Sequence, residues 1–464
     1  MIAEIEQTTL GSLISKQRKY FNSGATLSYE FRLQQLKKLK QAIRSNEEAI
    51  FNALKRDLNK HEFESYGTEV GIVYEELNFA IKHLKKWMKP VRPSTPMALF
   101  PSSSYIHKDP LGCVLIIAPW NYPFQLLINP LIGAIAGGNC TILKPSELAP
   151  ATAVIIEKII RETFGPEYVA TVQGDGAQVI PDMMNNHRFD LVFFTGSIPV
   201  GYAIAEMAAK KLTPVILELG GKSPCIVDKE VDLNNAAKRI VWGKFTNAGQ
   251  TCVAPDYLMV HHSRKQELIE LIKKYITEFY TDSPSQGDYG SIINNRRFDT
   301  LKKYLDQGNI ICGGQTNEEK LYISPTLIEN VSMDSPLMND EIFGPILPIF
   351  EFHSYDETFE LIKQNPNPLA FYLFTKNKAT EQLYINKLPF GGGCINNTLI
   401  HLGNPKVPFG GVGNSGIGNY HGKFSFDAFT RMKSVLKTQT WFDSGIQYAP
   451  FKDKLKMLRM FLRY

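Results

Sequence analysis

Val215-Ile216-Leu217-Glu218-Leu219-Gly220-Gly221-Lys222 decides the fold, because a short apolar run ends on a carboxylate and turns at once through two glycines. Such a run, bounded by a turn, reads as a buried strand. In a parallel sheet Glu218 then stands at the carboxyl edge, where open α/β folds place their ligands. Read alone, Glu218 serves equally as a cap for the Gly220-Gly221 turn or as a partner for Lys222. A second stretch adds to the first. Thr246-Asn247-Ala248-Gly249-Gln250-Thr251-Cys252 is small and polar, and it ends on a thiol that a loop can expose. A thiol that adds to a carbonyl carbon leaves a covalent adduct, and a carboxylate that deprotonates water is what releases it.

The flanking sequence supplies the expected sheet. Apolar runs at 114–118, 141–143, 169–172, 191–194 and 215–217 alternate with helical patterns at 126–136, 151–164, 177–185 and 200–209, which predicts βαβ units. A second α/β set begins near residue 221, with strands at 225–227, 257–260, 346–350, 370–374 and 394–396 and helices near 233–244 and 265–280. Residues 27–90 have helical periodicity and are broken by Pro90, Pro93 and Pro96. The apolar stretch 124–143 is interrupted by Gln125, Asn129, Pro130, Gly137, Gly138 and Asn139, so it reads as a buried helix followed by a strand rather than a membrane span.

A chain of 464 residues exceeds the roughly 250–300 residues at which single cores stop growing, so two or more domains are expected. The 51 basic residues exceed the 46 acidic ones by little and are scattered, which leaves no nucleic-acid footprint. Six cysteines lie far apart with no Cys-x-x-Cys pair, against both a disulfide framework and a metal site. They are expected as reduced thiols in a cytoplasm. The start of the chain carries Glu4 and Glu6 and lacks the pattern of a signal peptide.

Cys113, Cys140 and Cys225 sit in or beside apolar strands and read as small buried hydrophobes, which sets Cys252 apart. Asn121, within Pro119-Trp120-Asn121-Tyr122-Pro123, is either an ordinary turn former or an amide that donates to an oxyanion. Lys144 and Glu147, in Lys144-Pro145-Ser146-Glu147, suit ribose hydroxyls or a helix cap. Thr195-Gly196-Ser197, leading into a helix, offers donors for a pyrophosphate. Two stricter phosphate motifs fail: Val179 stands where G-x-G-x-x-G needs its third glycine, and Tyr202-Ala203 stands where a P-loop needs Lys and Ser or Thr.

Taken together these segments resemble the aldehyde dehydrogenase superfamily. With Glu341-Ile342-Phe343-Gly344-Pro345 and Pro408-Phe409-Gly410-Gly411 they make seven motifs in family order, over about residues 10–435. Leu212-Thr213-Pro214-Val215, Cys252-Val253-Ala254-Pro255-Asp256-Tyr257 and Gly411-Val412-Gly413-Asn414-Ser415-Gly416 are similar to the class 3 branch. The resemblance implies oxidation of medium- or long-chain aliphatic or aromatic aldehydes with NAD, or with NADP, by a homodimer. It implies Cys252 as nucleophile, Glu218 as the base for water and Asn121 as oxyanion donor. Lys144, Glu147, Thr195, Gly196, Ser197, Glu341 and Phe343 would contact the cofactor, with Glu147 favouring NAD by repelling a 2′-phosphate. Tyr122, Trp242, Ile400 and His401 would line the aldehyde tunnel or its rim; His401, read alone, is a solvated loop histidine.

The implied fold has a Rossmann-like cofactor domain (1–91 and 111–220), a catalytic domain (221–412), a small oligomerisation flap (92–110 and 413–434) and an amphipathic tail (435–464). In the tail, Leu455, Leu458 and Leu462 share one helical face beside Lys452, Lys456, Arg459 and Arg463. Docking onto the enzyme is the favoured reading and peripheral membrane contact the alternative. Two other functions remain: a CoA-acylating dehydrogenase, disfavoured because a thiol acceptor needs no hydrolytic base, and a non-catalytic protein on the same fold.

Overall fold

A computed structural model of the chain describes residues 7–280 and 288–462. The apolar runs before residue 221 form a sheet ordered Gly416–Ile417, Val215–Leu219, Leu191–Gly196, Cys113–Ile117, Cys140–Lys144 and Val169–Thr171. Its strands are parallel except Gly416–Ile417, which runs antiparallel to Val215–Leu219. This is the α/β architecture that the alternation predicts. The strand carrying Glu218 is therefore paired on both sides, with Thr195 opposite the glutamate on one neighbour and Gly416 on the other.

The second sheet has seven strands: Gly392–Ile395, Ala370–Phe374, Pro224–Val227, Tyr257–His261, Ile346–Phe352, Thr326–Glu329 and Asn309–Cys312. All are parallel but the last, which pairs antiparallel with Thr326–Glu329. Sequence patterning misses those two strands. Each has four residues, Asn309 and Ile310 are exposed, and the register shifts between Leu327 and Ile328, so neither shows a clean apolar period.

Helix Gln125–Gly137 runs behind the first sheet with every residue buried. Its burial explains its length of apolar sequence, and no helix among the described residues is long and apolar enough to cross a membrane. The helix stops at Gly138, which takes the left-handed conformation at φ 87°. Arg32 reaches from the N-terminal helix Tyr29–Ser45 to donate to the carbonyl of Ala136 at 3.1 Å, satisfying one of the helix's last acceptors. Where the chain leaves the body, Ser102–Pro110 pairs antiparallel with Thr430–Thr438 in a two-stranded ribbon. Of the stretch 413–434, only residues from Thr430 onward join that ribbon, since Gly416–Ile417 belongs to the first sheet and helix Gly422–Ala428 packs on Gln125–Gly137.

The tail differs from expectation. Helix Lys454–Phe461 forms, but Leu455, Leu458 and Leu462 are all exposed, so they are not buried against their own chain as the docking reading requires. Arg463 lies outside the described residues.

Packing of Gln125–Gly137 leaves a stability test. A Cβ on Gly137 would stand 2.7 Å from the Phe429 carbonyl oxygen, a backbone atom that cannot swing aside. Gly137→Ala is expected to destabilise the protein by about 1–3 kcal/mol despite alanine's better helix propensity, read as a lowered midpoint in urea or thermal unfolding. An unchanged or raised midpoint would show that the two helices separate freely.

Candidate active site

The loop that presents Cys252 is built from unusual backbone. Asn247, Ala248 and Gly249 take positive φ in succession, at 54°, 51° and 72°. At Gly249 glycine is required twice over, because a Cβ would also lie 2.3 Å from the Gly344 carbonyl oxygen. Gln250 then locks the turn: its amide donates to the carbonyls of Asn247 (3.1 Å) and Ser291 (3.0 Å), and its oxygen accepts from the Ile293 N–H (3.0 Å). Thr251 shares a 2.6 Å hydrogen bond with the Tyr122 hydroxyl. With its neighbours held, Cys252 is half-buried and faces open space on two sides.

One of those spaces is a cavity of about 520 Å³ along the carboxyl edge of the first sheet, lined by Trp120, Asn121, Thr195–Ser197, Glu218–Lys222, Glu341 and Phe343. Glu218 is 2% exposed, and neither of its oxygens has a hydrogen-bond partner. Burial alone holds its carboxyl well above the ordinary range. The alternative pairing with Lys222 does not occur: that ammonium binds Asp256 and the carbonyls of Leu337 and Asp340. Burial, and then the charges of Glu341 and Glu218, push the Cys252 thiol up, against the N–H groups of Cys252 and Val253 that favour thiolate. Asn121 uses one amide hydrogen on the Gln250 carbonyl at 3.1 Å, and its amide carries a second.

The other space is a cavity of about 480 Å³ lined mainly by apolar and aromatic side chains, among them Tyr66, Tyr122, Trp242, Ile400, Phe409 and Tyr420. Cys252 and Leu126 line both cavities.

Not every expected residue joins this arrangement. Tyr122, Trp242 and Ile400 line the second cavity, but His401 does not; its Nδ1 stands 3.5 Å from the Cys394 sulfur and burial drives its imidazole down to about 4. The wall position belongs to His421, whose φ of 82° turns it inward, a feature no residue pattern announces. Lys144 and Glu147 line neither main cavity. They pair with each other farther along the same sheet edge, where burial raises the Glu147 carboxyl but the Lys144 ammonium and the Gly176 N–H hold it below its usual value overall. Sequence reading also missed Arg297, which lines the first cavity and donates to the Ile342 carbonyl.

Comparison with known proteins agrees with the geometry. The model of the aldehyde dehydrogenase family matches residues 1–435. The chain belongs to the aldehyde dehydrogenase family. It is 49% identical over 449 residues to the 4,4'-diaponeurosporen-aldehyde dehydrogenase of Staphylococcus aureus, spanning 96% of this chain and 97% of that protein. It is 42% identical to the "dimeric NADP-preferring" aldehyde dehydrogenase of Rattus norvegicus, over 92% and 94% of the two chains. Among solved structures, the substrate-bound state of Staphylococcus aureus AldH superposes with a TM-score of 0.95 at 47% identity, covering 99% of this chain and 100% of that one. The class 3 assignment stands with it, and the reaction is the oxidation of an aldehyde with NAD or NADP.

The first cavity of this aldehyde dehydrogenase fits such a dinucleotide. The Thr195 hydroxyl is buried without a partner, and Ser197 stands at the N-terminus of helix Ile198–Ala209 with its side chain uncommitted to capping. Gly220 leaves no room for a side chain, since a Cβ would fall 1.9 Å from the Glu341 carboxylate. Burial and then Asp256 push Glu341 up to about 8.

The raised thiol sets a pH test. Because the Cys252 pKa lies above its ordinary value, thiolate in the ligand-free enzyme accumulates only as pH rises through the alkaline range. Carbamidomethylation of Cys252, followed by mass spectrometry, should therefore keep accelerating above pH 8.5 or so, the usual thiol range. A rate that levels off below pH 7 would contradict the raised pKa.

Proposed function

We propose that this enzyme oxidises a long, apolar aldehyde to its carboxylic acid through a thioester on Cys252, with NAD preferred over NADP. The observation that carries this reading is the position of Cys252 in the walls of both cavities, with the Glu218 carboxyl in the wall of the first. The apolar cavity accepts the tail of the substrate and brings its carbonyl to the sulfur. Cys252 gives up its proton to water. As the resulting thiolate adds to the carbonyl carbon, the carbonyl oxygen becomes an oxyanion that accepts hydrogen bonds from the free amide hydrogen of Asn121 and the Cys252 backbone N–H. Oxidised NAD or NADP, bound in the first cavity, supplies the two-electron acceptor for the adduct's C–H bond. Thr195 and Ser197 would hold its pyrophosphate, Glu341 a ribose, and Phe343, packed edge-on against Trp120 at 5.3 Å, the nicotinamide side.

Glu218 completes the cycle. A carboxyl with a raised pKa is a stronger base than a solvated one, and with both oxygens free it can take a proton from water as that water attacks the thioester carbon. Collapse of the tetrahedral adduct returns the Cys252 sulfur and releases the acid. The NAD preference rests on Glu147, beside Lys144, which repels a 2′-phosphate. A homodimer fits the exposed ribbon, where Met432 and Leu436 face solvent, and the dimeric name of the rat relative. The long apolar substrate fits the aromatic cavity and the 4,4'-diaponeurosporen-aldehyde in the name of the Staphylococcus aureus relative.

The test follows reduced nicotinamide from aldehydes of increasing chain length with each cofactor, with and without CoA. Cys252→Ala is expected to abolish turnover. Glu218→Gln is expected to give at most one equivalent of reduced cofactor in a burst and then stall by 10²-fold or more, roughly the worth of a general base. Full steady-state turnover in Glu218→Gln would remove it as the deacylating base, and turnover only with CoA would overturn the hydrolytic reading.

A further inference from the structure

Lys60 and Glu69 form an ion pair whose side chains are both fully buried, with Nζ and Oε1 2.5 Å apart. A buried pair of this kind is weak evidence for stability, because removing both charges from water opposes most of their attraction. Its remaining bonds say what else it does. Lys60 Nζ also donates to the backbone carbonyl of Asn121 at 2.9 Å and lies 4.1 Å above the ring of Tyr122. The second oxygen of Glu69 accepts from the N–H groups of Phe124 at 2.9 Å and Gln125 at 3.2 Å. Two charged side chains from the N-terminal helical layer thus grip the turn from Asn121 to Gln125 at both ends.

The grip extends to the sulfur. The same Asn121 carbonyl accepts from Asn247 Nδ2 at 2.9 Å, within the left-handed turn before Cys252, and the Tyr122 hydroxyl meets Thr251. From one residue farther out, Glu64 accepts from the Asn247 backbone N–H at 2.9 Å. The backbone around Glu69 is itself adapted, since Tyr66–Val70 forms a single π-helical turn between two α-helices. Such insertions are frequent at functional sites, where they re-aim a side chain.

The geometry points to Lys60 and Glu69 as positioning residues that hold the Asn121 amide where the oxyanion forms, and so set the rate of acylation. The proposal rests on Asn121 being the oxyanion donor. Neither residue touches the substrate; both act through the turn. A donor displaced by about 1 Å loses much of its effect on the transition state while substrate binding in the apolar cavity persists.

The experiment is a double-mutant cycle on the full-length enzyme. Wild type, Lys60→Met, Asn121→Ala and the double variant are compared by the burst rate constant of reduced nicotinamide with a long-chain aldehyde, alongside aldehyde KM, dinucleotide affinity and melting temperature. Lys60→Met is expected to slow the burst by ~10- to 100-fold with KM and dinucleotide affinity within about twofold of wild type. In the Asn121→Ala background the same change should cost under about threefold, because the group it positions is gone. Glu69→Gln, which preserves shape, serves if Lys60→Met does not fold and is expected to behave alike, and Lys60→Arg should restore part of the rate. An undiminished Lys60 effect in the Asn121→Ala background overturns the proposal alone, as does an unchanged burst in the folded single variants or failure of all three replacements to fold. A harmless Asn121→Ala overturns the oxyanion reading beneath it.

Discussion

A carboxyl group held away from water with no hydrogen bond is among the more costly things a protein can keep, and much of the site is arranged around one. Glu218 has that character because its strand is flanked on both sides and its side chain lies in the wall of a cavity that residues from both halves of the chain enclose. Antiparallel pairing of Gly416–Ile417 closes the edge that would otherwise admit solvent to the strand. A Cβ on Gly416 would meet the Leu217 carbonyl at 2.3 Å, so that closure depends on a residue without a side chain. The desolvation that raises Glu218 also raises Cys252, and the charges of Glu341 and Glu218 further disfavour the thiolate. In the ligand-free enzyme both groups are thus biased towards their neutral forms.

Much of this was legible in the order of residues. An apolar run closed by Glu and two glycines specifies a strand, its carboxyl edge and a turn, and the structure supplies the reason for Gly220: the Glu341 carboxylate occupies the space of its missing side chain. Gly249, read from the sequence only as part of a small, polar stretch, takes a positive φ and packs on the Gly344 carbonyl. The thiol stood out because its neighbours were small and polar while Cys113, Cys140 and Cys225 lay in strands that are wholly buried.

What escaped was whatever depends on distance through space rather than along the chain. Lys60 and Glu69 sit in a charged, helical stretch and look like solvated surface residues, yet they contact a turn some sixty residues later. His401 lies beside Cys394 and outside the cavity wall, while His421, at a positive φ, stands in that wall. The strand Asn309–Cys312 is invisible because an edge strand with exposed residues lacks an apolar period.

The walls of the two cavities have only Leu126 and Cys252 in common. With the dinucleotide in the first cavity and the aldehyde in the second, as proposed, the two ligands would fill separate spaces that meet at Cys252. On the proposed thioester route, the acyl group on Cys252 would lie in the second cavity and leave the first free for the dinucleotide. The bulk of an aldehyde's tail would then be limited by the second cavity's own walls, independently of the dimensions of the first.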